Sequence, residues 1–164
     1  MITTTLLSFL LFLVFNFLTI RKNGILPSYS ATYYKWGRND TVSVFSLVTF
    51  AVALLLMPAM IEQGEGHVLQ FLGFMAPIYL IIVAIRPDFE ADENTFRVHS
   101  GAAVICAALS FVWVIWVKHL WWVLLIGVAV SAVLACITKT ARASKVFWLE
   151  MIMFVSVYLA LVIG

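Results

Sequence analysis

Six long apolar stretches occupy most of this sequence, and they restrict its fold more than any other feature. They cover residues 2–20, 41–60, 68–85, 101–117, 120–137 and 146–163. A helix needs about 20 apolar residues to cross a bilayer core, and there every backbone polar group must be satisfied within the protein. Only 11% of the residues are charged, against about 25% in soluble domains. The sequence therefore predicts an all-α fold, a polytopic transmembrane helical bundle of six spans that forms a single integral membrane domain over residues 1–164.

The basic residues are distributed unevenly between the loops. The loops after spans one, three and five hold nine of the ten Lys and Arg residues, and the other two loops hold only Lys118. Because basic loops stay in the cytoplasm, these three loops are predicted to be cytoplasmic, with both termini outside. Arg21 and Lys22 follow the first apolar run instead of preceding it, which favours an uncleaved span over a signal peptide.

The first predicted cytoplasmic loop contains the stretch "LPSYSATYYKWGRND", residues 26–40. Ser28 is a suitable cap for a short helix. Tyr33, Tyr34 and Trp36 are residue types that favour the headgroup layer, with the ring buried and the polar tip wet. The sequence therefore predicts a short interfacial helix between spans one and two. The alternative is a segment that folds over the mouth of the bundle and forms part of a site.

The second predicted cytoplasmic loop, "RPDFEADENTFRVHSG", is acidic. Asp88, Glu90, Asp92 and Glu93 make up half of the eight acidic residues of the chain. This loop is expected to contact the basic, aromatic loop after span one. Oxygen ligands for a divalent cation are an alternative, although the spacing does not match an EF-hand loop.

Three polar residues are predicted to lie at a similar depth near the cytoplasmic face: Asn16 in span one, His99 at the start of span four and Glu150 in span six. An ionisable residue within a span is a functional candidate by default. If the three side chains converge below Ser28 or Ser30, they form a polar pocket with the segment above as its lid. The alternative places Glu150 at the headgroups, paired with a Lys or Arg.

Small residues recur every four positions on spans four and five, among them Gly127, Ser131 and Ala135. Small residues at this spacing allow helices to approach closely. Because only Lys118 and His119 separate the two spans, they are predicted to form a tight antiparallel hairpin.

No motif for nucleotide binding, serine hydrolysis or zinc binding occurs, and no basic run indicates nucleic acid. We therefore assign no catalytic residue, metal ligand or cofactor from the sequence. The candidate pocket residues are Asn16, Ser28, Ser30, Tyr33, Tyr34, Asp88, His99 and Glu150.

The stretches "ILPSYSATYY" and "PDFEADENTFRVHSGAAVICAALSFVWVI" resemble a group of small polytopic bacterial membrane proteins, which implies a bacterial inner membrane but no particular chemistry. More distantly, the layout resembles the CREST superfamily of membrane hydrolases and receptors, which hold a serine, an aspartate and three histidines around zinc. That resemblance would match Ser28 or Ser30, Asp88 and His99 to three of these residues. Span six contains no histidine.

The resulting hypothesis is a non-enzymatic integral membrane protein that binds a membrane lipid, a partner protein or its own copies as a homo-oligomer, with no nucleic acid. An oligomeric pore or channel is the first alternative, for which Ser43, Ser46 and Thr49 of span two supply half of a polar stripe. A metal-dependent intramembrane lipid hydrolase is the second.

Overall fold

The computed structural model describes residues 2–36, 43–140 and 143–164. Within these ranges the chain forms helices and turns and no strand, so the all-α prediction is confirmed. The α-helices are α1 Ile2–Asn23, α2 Val44–Gln63, α3 Leu72–Ile85, α4 Glu93–Val112, α5 Trp121–Ile137 and α6 Lys145–Ile163. A 3₁₀ helix, Ser30–Tyr34, lies between α1 and α2, and a π-helical turn, Trp113–Val117, continues α4.

Four of the helices are long and apolar enough to cross a membrane: α1, α2, α4 with its π-helical turn, and α6. Helices α3 and α5 have 14 and 17 residues, which at about 1.5 Å per residue is less than a full bilayer core. Apolar side chains are exposed around the outside of the bundle, as expected for a membrane protein. The predicted start of span two at residue 41 lies outside the described residues.

Helix α4 begins at Glu93, eight residues before the predicted start of span four. Asp92 is its N-cap, and its Oδ1 accepts a hydrogen bond from Thr95 N at 2.8 Å. This bond, which satisfies a free N–H of the first turn, lowers the pKa of the Asp92 carboxyl group. Half of the predicted acidic loop is therefore helical, and His99 lies inside α4. Helix α3 begins four residues later than predicted, because the residues before Leu72 form consecutive turns.

Helices α2 and α3 approach each other at backbone contact distance. A Cβ atom placed on Gly73 would lie 2.6 Å from Met60 O, closer than any side chain tolerates. Gly73 therefore permits this contact, and a side chain at position 73 would force the two helices apart.

Helix α5 packs against α6, and the predicted hairpin of spans four and five is wrong. Gly127, Ser131 and Ala135 are buried, and a Cβ on Gly127 would lie 3.2 Å from Ser156 Oγ. The small residues of α5 thus allow close packing as predicted, but with α6 as the partner. The two-residue connection does not force α5 onto α4, because His119 adopts a left-handed conformation with φ of 55° between them.

The loops predicted to be cytoplasmic meet at one end of the bundle. Phe147 N donates to Pro27 O at 3.1 Å, and Tyr34 contacts Asp88, so the starts of α4 and α6 and the end of α1 are adjacent. We call this the basic end. The buried core below it contains aromatic side chains of α1, α2 and α6: Phe12, Phe15, Phe45, Phe154 and Tyr158.

Candidate functional site

The segment that follows α1, residues 24–36, turns back into the basic end of the bundle. Gly24 ends α1 with φ of 74°, and its N–H donates to Ile20 O at 2.8 Å. Glycine adopts this left-handed conformation without steric cost. The bond from Phe147 N to Pro27 O then joins the segment to the first turn of α6. We call residues 24–36 the closing segment.

The predicted short helix exists as the 3₁₀ helix Ser30–Tyr34. As expected for a cap, Ser28 Oγ accepts a hydrogen bond from Ala31 N at 3.1 Å. Ser30, Thr32 and Tyr33 are buried, so this helix is packed into the end of the bundle. That burial favours the alternative interpretation, a segment that folds over the bundle.

Tyr29 is the most deeply inserted large side chain of the closing segment, with 2% of its surface exposed. Its ring contacts four phenylalanines, with centroid distances of 5.3 to 5.9 Å, which come from α1, α2 and α6: Phe12, Phe15, Phe45 and Phe154. Its hydroxyl group lies 3.1 Å from Thr49 Oγ1. Burial raises the pKa of this hydroxyl, so it remains neutral. Tyr29 therefore fixes the closing segment through aromatic burial.

Ser30 and His99 form a hydrogen-bonded pair beside Tyr29. Ser30 Oγ lies 2.9 Å from His99 Nε2, and His99 Nδ1 lies 2.7 Å from Arg86 O. A carbonyl oxygen can only accept, so Nδ1 carries a proton. In the neutral ring Nε2 is then the acceptor, and the Ser30 hydroxyl donates to it. Both side chains are 4% exposed. The arrangement matches a nucleophile, a base and a group that orients the base.

Tyr34 connects the closing segment to the connection between α3 and α4. Its hydroxyl group donates to Asp88 Oδ1 at 3.3 Å and accepts from Glu90 N at 2.8 Å. Its ring meets Phe89 with a centroid distance of 5.2 Å. Burial, together with the neighbouring carboxylates, raises the pKa of Tyr34 to about 12. The predicted contact between the two loops is therefore present.

A cavity of about 480 Å³ lies between α4 and α6, and we call it the α4–α6 groove. Alanines of α4, among them Ala103 and Ala107, line one side, and Leu149 and Met153 of α6 line the other. Rim residues such as Val104 are exposed on the apolar surface of the bundle, 68% in its case. The groove is therefore open sideways, on the apolar outer surface of the bundle.

Ser30 and Glu150 line the head of this groove together with Tyr29. Glu150 Oε2 accepts the N–H of Tyr29 at 2.6 Å. Within the described parts of the chain, Glu150 forms no ion pair with a Lys, Arg or His. The ion pair found there joins Glu93 to Arg97. The apolar groove thus ends at a half-buried carboxylate.

The structure brings only part of the predicted polar cluster together. Ser30 is bonded to His99, and Glu150 is bonded to the residue before Ser30. Asn16 does not join them through a hydrogen bond: its Nδ2 donates to Phe12 O at 2.8 Å within α1, and its Oδ1 is buried without a partner. Among the other predicted residues, Ser28 is a cap, Tyr33 packs against Tyr34 and Asp88 receives the Tyr34 hydroxyl.

Sequence reasoning missed Tyr29, the carbonyl of Arg86 and the groove itself. The signal available for Tyr29 was its position between the two candidate serines in "PSYS". Nothing in the sequence indicated the groove, because it depends on which helices become neighbours.

His, Cys, Asp and Glu side chains do not gather into a group of three or more that could hold a metal ion anywhere in residues 2–36, 43–140 or 143–164. Comparison of the chain with protein-family models, with curated proteins and with solved structures gave no match.

Proposed function

We propose that this is a six-span protein of a bacterial inner membrane that binds the apolar chain of a membrane amphiphile in the α4–α6 groove. In this topology α3 and α5 cross the bilayer as shorter spans, the basic end faces the cytoplasm, and both termini lie outside. The proposed function is non-enzymatic, and the proposed ligand is a molecule of the lipid class.

The observation that carries this proposal is the groove. Its volume of about 480 Å³ falls in the range of roughly 300–1,000 Å³ typical of small-molecule sites. Its walls are apolar and its head is polar, and the same division occurs in an amphiphile. Because the rim is exposed on the apolar surface, a chain can enter sideways from the bilayer without crossing water.

Photo-crosslinking with a single-chain alkyl diazirine amphiphile in lipid vesicles tests this proposal. The labelled peptides should map to α4 and α6 around Val104 and Leu149. Ala107→Phe places a ring in the groove and should weaken labelling on the order of tenfold, since each displaced methylene is worth about 0.8 kcal/mol. Ala129→Phe adds the same ring on the exposed surface of α5 and should leave labelling unchanged. Equal labelling in both variants would contradict the proposal.

A second candidate function, acyl transfer to water without a metal, is favoured by the Ser30–His99 pair. Ser30 Oγ would attack the carbonyl carbon of an ester while His99 Nε2 takes its proton. The carbon–oxygen bond to the alcohol would then break, and the leaving oxygen would take that proton. Water would release the acid from acyl-Ser30 by the same exchange, so ester and water give acid and alcohol.

A fluorophosphonate probe separates this second candidate from a purely structural Ser30–His99 pair. Labelling of the wild-type protein that is lost in Ser30→Ala and kept in Ser28→Ala would support acyl transfer, because Ser28 is the matched neighbouring serine. An unlabelled wild-type protein would leave Ser30 with a structural role. The pore remains an alternative prediction. The residues proposed for its polar stripe are hydrogen-bonded within the described chain, Ser43 to Ser46 and Thr49 to Tyr29.

A further inference from the structure

The hydrogen-bond donors of Ser30 and Tyr29 at the head of the groove already have acceptors within the protein. The hydroxyl proton of Ser30 goes to His99 Nε2, because the other ring nitrogen donates to Arg86 O. The N–H of Tyr29 goes to Glu150 Oε2. What remains towards the groove is acceptor capacity, namely the carboxylate of Glu150 and the lone pairs of Ser30 Oγ. A ligand head that completes this site must therefore bring donors.

The charge of Glu150, like the hydrogen bonds, favours a ligand head that brings donors. A carboxylate beside an apolar cavity is costly unless it is paired or protonated, and a cationic partner favours its charged form. Within the described residues, no cationic side chain pairs with Glu150: the ammonium-bearing Lys145 of the same helix is exposed, and His99 is engaged by Ser30 and Arg86 O. An ammonium group offers three donors and one positive charge, and both match what Glu150 and Ser30 lack.

We infer that the groove selects amphiphiles with a primary ammonium head, which binds between Glu150 and Ser30 while the chain lies between α4 and α6. This inference rests on the chain-binding function proposed above and adds the chemistry of the head. Two sources share this chemistry, a simple long-chain amine and the aminoethyl headgroup of a phospholipid.

Competition against the diazirine probe measures this selectivity. An alkylamine and an alkyl alcohol of equal chain length are compared in vesicles of uncharged lipid. The amine should compete about tenfold or more better, because hydrogen bonds to charged groups are stronger than neutral ones. In Glu150→Gln this ratio should fall to about one. The alcohol should lose less affinity than the amine in this variant, because its hydroxyl group carries no charge. Glutamine keeps an oxygen for the Tyr29 N–H, so the apolar part of the groove stays intact.

Glu93→Gln is the matched control. Glu93 is a carboxylate at the same end of the bundle, and it is exposed and paired with Arg97. The amine preference should be unchanged in this variant, whereas a loss there would reveal a general attraction to the acidic residues near the start of α4 and overturn the inference. A preference that survives in Glu150→Gln would overturn it as well.

The outcomes separate this inference from the function on which it rests. If the amine and the alcohol compete equally, and Ala107→Phe weakens the binding of both, the ammonium site is overturned and the groove function is kept. Failure of both compounds to compete would remove the groove function itself. A single-chain phosphatidylethanolamine preferred over its choline counterpart, with the preference lost in Glu150→Gln, would assign the ammonium to a phospholipid. A preference confined to the alkylamine would assign it to a simple amine.

Discussion

Two spaces at the basic end of the bundle differ, because one is filled by a side chain and the other is open. The space between α1, α2 and α6 is filled by the ring of Tyr29, which touches four phenylalanines. The space between α4 and α6 is left open at about 480 Å³. Both spaces border Tyr29 and Phe154.

The difference comes from the size of the side chains and not from polarity. Aromatic rings meet in the filled space, whereas α4 presents alanines, such as Ala103 and Ala107, to the open one. In a close-packed interior a void forfeits dispersion contacts. A void that is open to lipid avoids part of this cost, because a lipid chain can occupy it. The closing segment therefore borders a filled space on one side and an open space on the other.

The largest expected effect comes from emptying the filled space. Tyr29→Ala should destabilise the protein by about 3–5 kcal/mol, the usual cost of removing a large buried aromatic side chain. Tyr29→Phe should cost only about 0.5–1.5 kcal/mol, because it removes the Thr49 hydrogen bond and keeps the ring. Thermal unfolding in detergent would measure both changes. Similar losses in the two variants would show that the hydroxyl group, and not the ring, holds the closing segment.

An intermediate effect should follow from adding volume to a closed or an open part of the bundle. Ala53→Leu, at a fully buried position of α2, should cost about 1–3 kcal/mol through overpacking. Ala107→Leu points the same added volume into the groove and should change stability by less than about 1 kcal/mol. Unfolding temperatures of the two variants would provide the comparison. An equal loss in both would mean that the groove is closed when the protein is in detergent.

The smallest effect concerns pH at the Tyr34 contact. The pKa of Tyr34 is raised to about 12 in the folded protein, against about 10 for an unfolded tyrosine. The folded state therefore keeps its proton at a pH where the unfolded state has lost it. The stabilisation is complete below pH about 10 and disappears as pH rises towards about 12.

Proteolysis of the closing segment measures this change. Cleavage should increase between pH about 10 and about 12 in the wild-type protein. Tyr34→Phe should be cleaved somewhat faster at neutral pH, and it should show a weaker dependence on pH in that window. An identical pH profile in the two proteins would assign the change to another group, such as Tyr29, whose pKa is also raised by burial.

Much of the fold was predictable because the rules behind it are local. Helix formation in an apolar run follows from the need to satisfy backbone groups within the segment, and α1, α2, α5 and α6 start or end within a few residues of their predicted limits. The start of α4 was missed, although Asp92 is a residue type that favours the N-cap position. The acidic composition of this stretch suggested a loop, and the cap decided otherwise.

Some residues of the candidate site were predictable, but its geometry was not. His99 and Glu150 were singled out because polar residues at their depth are costly unless they have a role. Ser30 and Tyr34 came from the predicted interfacial segment, and Asp88 came from the acidic loop. Their partners come from distant parts of the chain. The hydrogen-bond partner of Ser30 lies 69 residues away in the sequence, and that of Tyr29 N lies 121 residues away. Asn16 was chosen on the same argument of depth, yet it bonds within its own helix.

The sequence by itself determined the class of this protein, its apolar helices and the gathering of basic loops at one end, because hydrophobicity and charge act residue by residue. The tertiary structure alone decided that α5 packs on α6, that Tyr29 fills one space, and that α4 and α6 leave another open at Glu150. The spans are apolar on nearly every side, so their sequences do not mark which face meets which neighbour. That choice depends on the shapes of side chains far apart in the chain, and it exists only once the helices have packed.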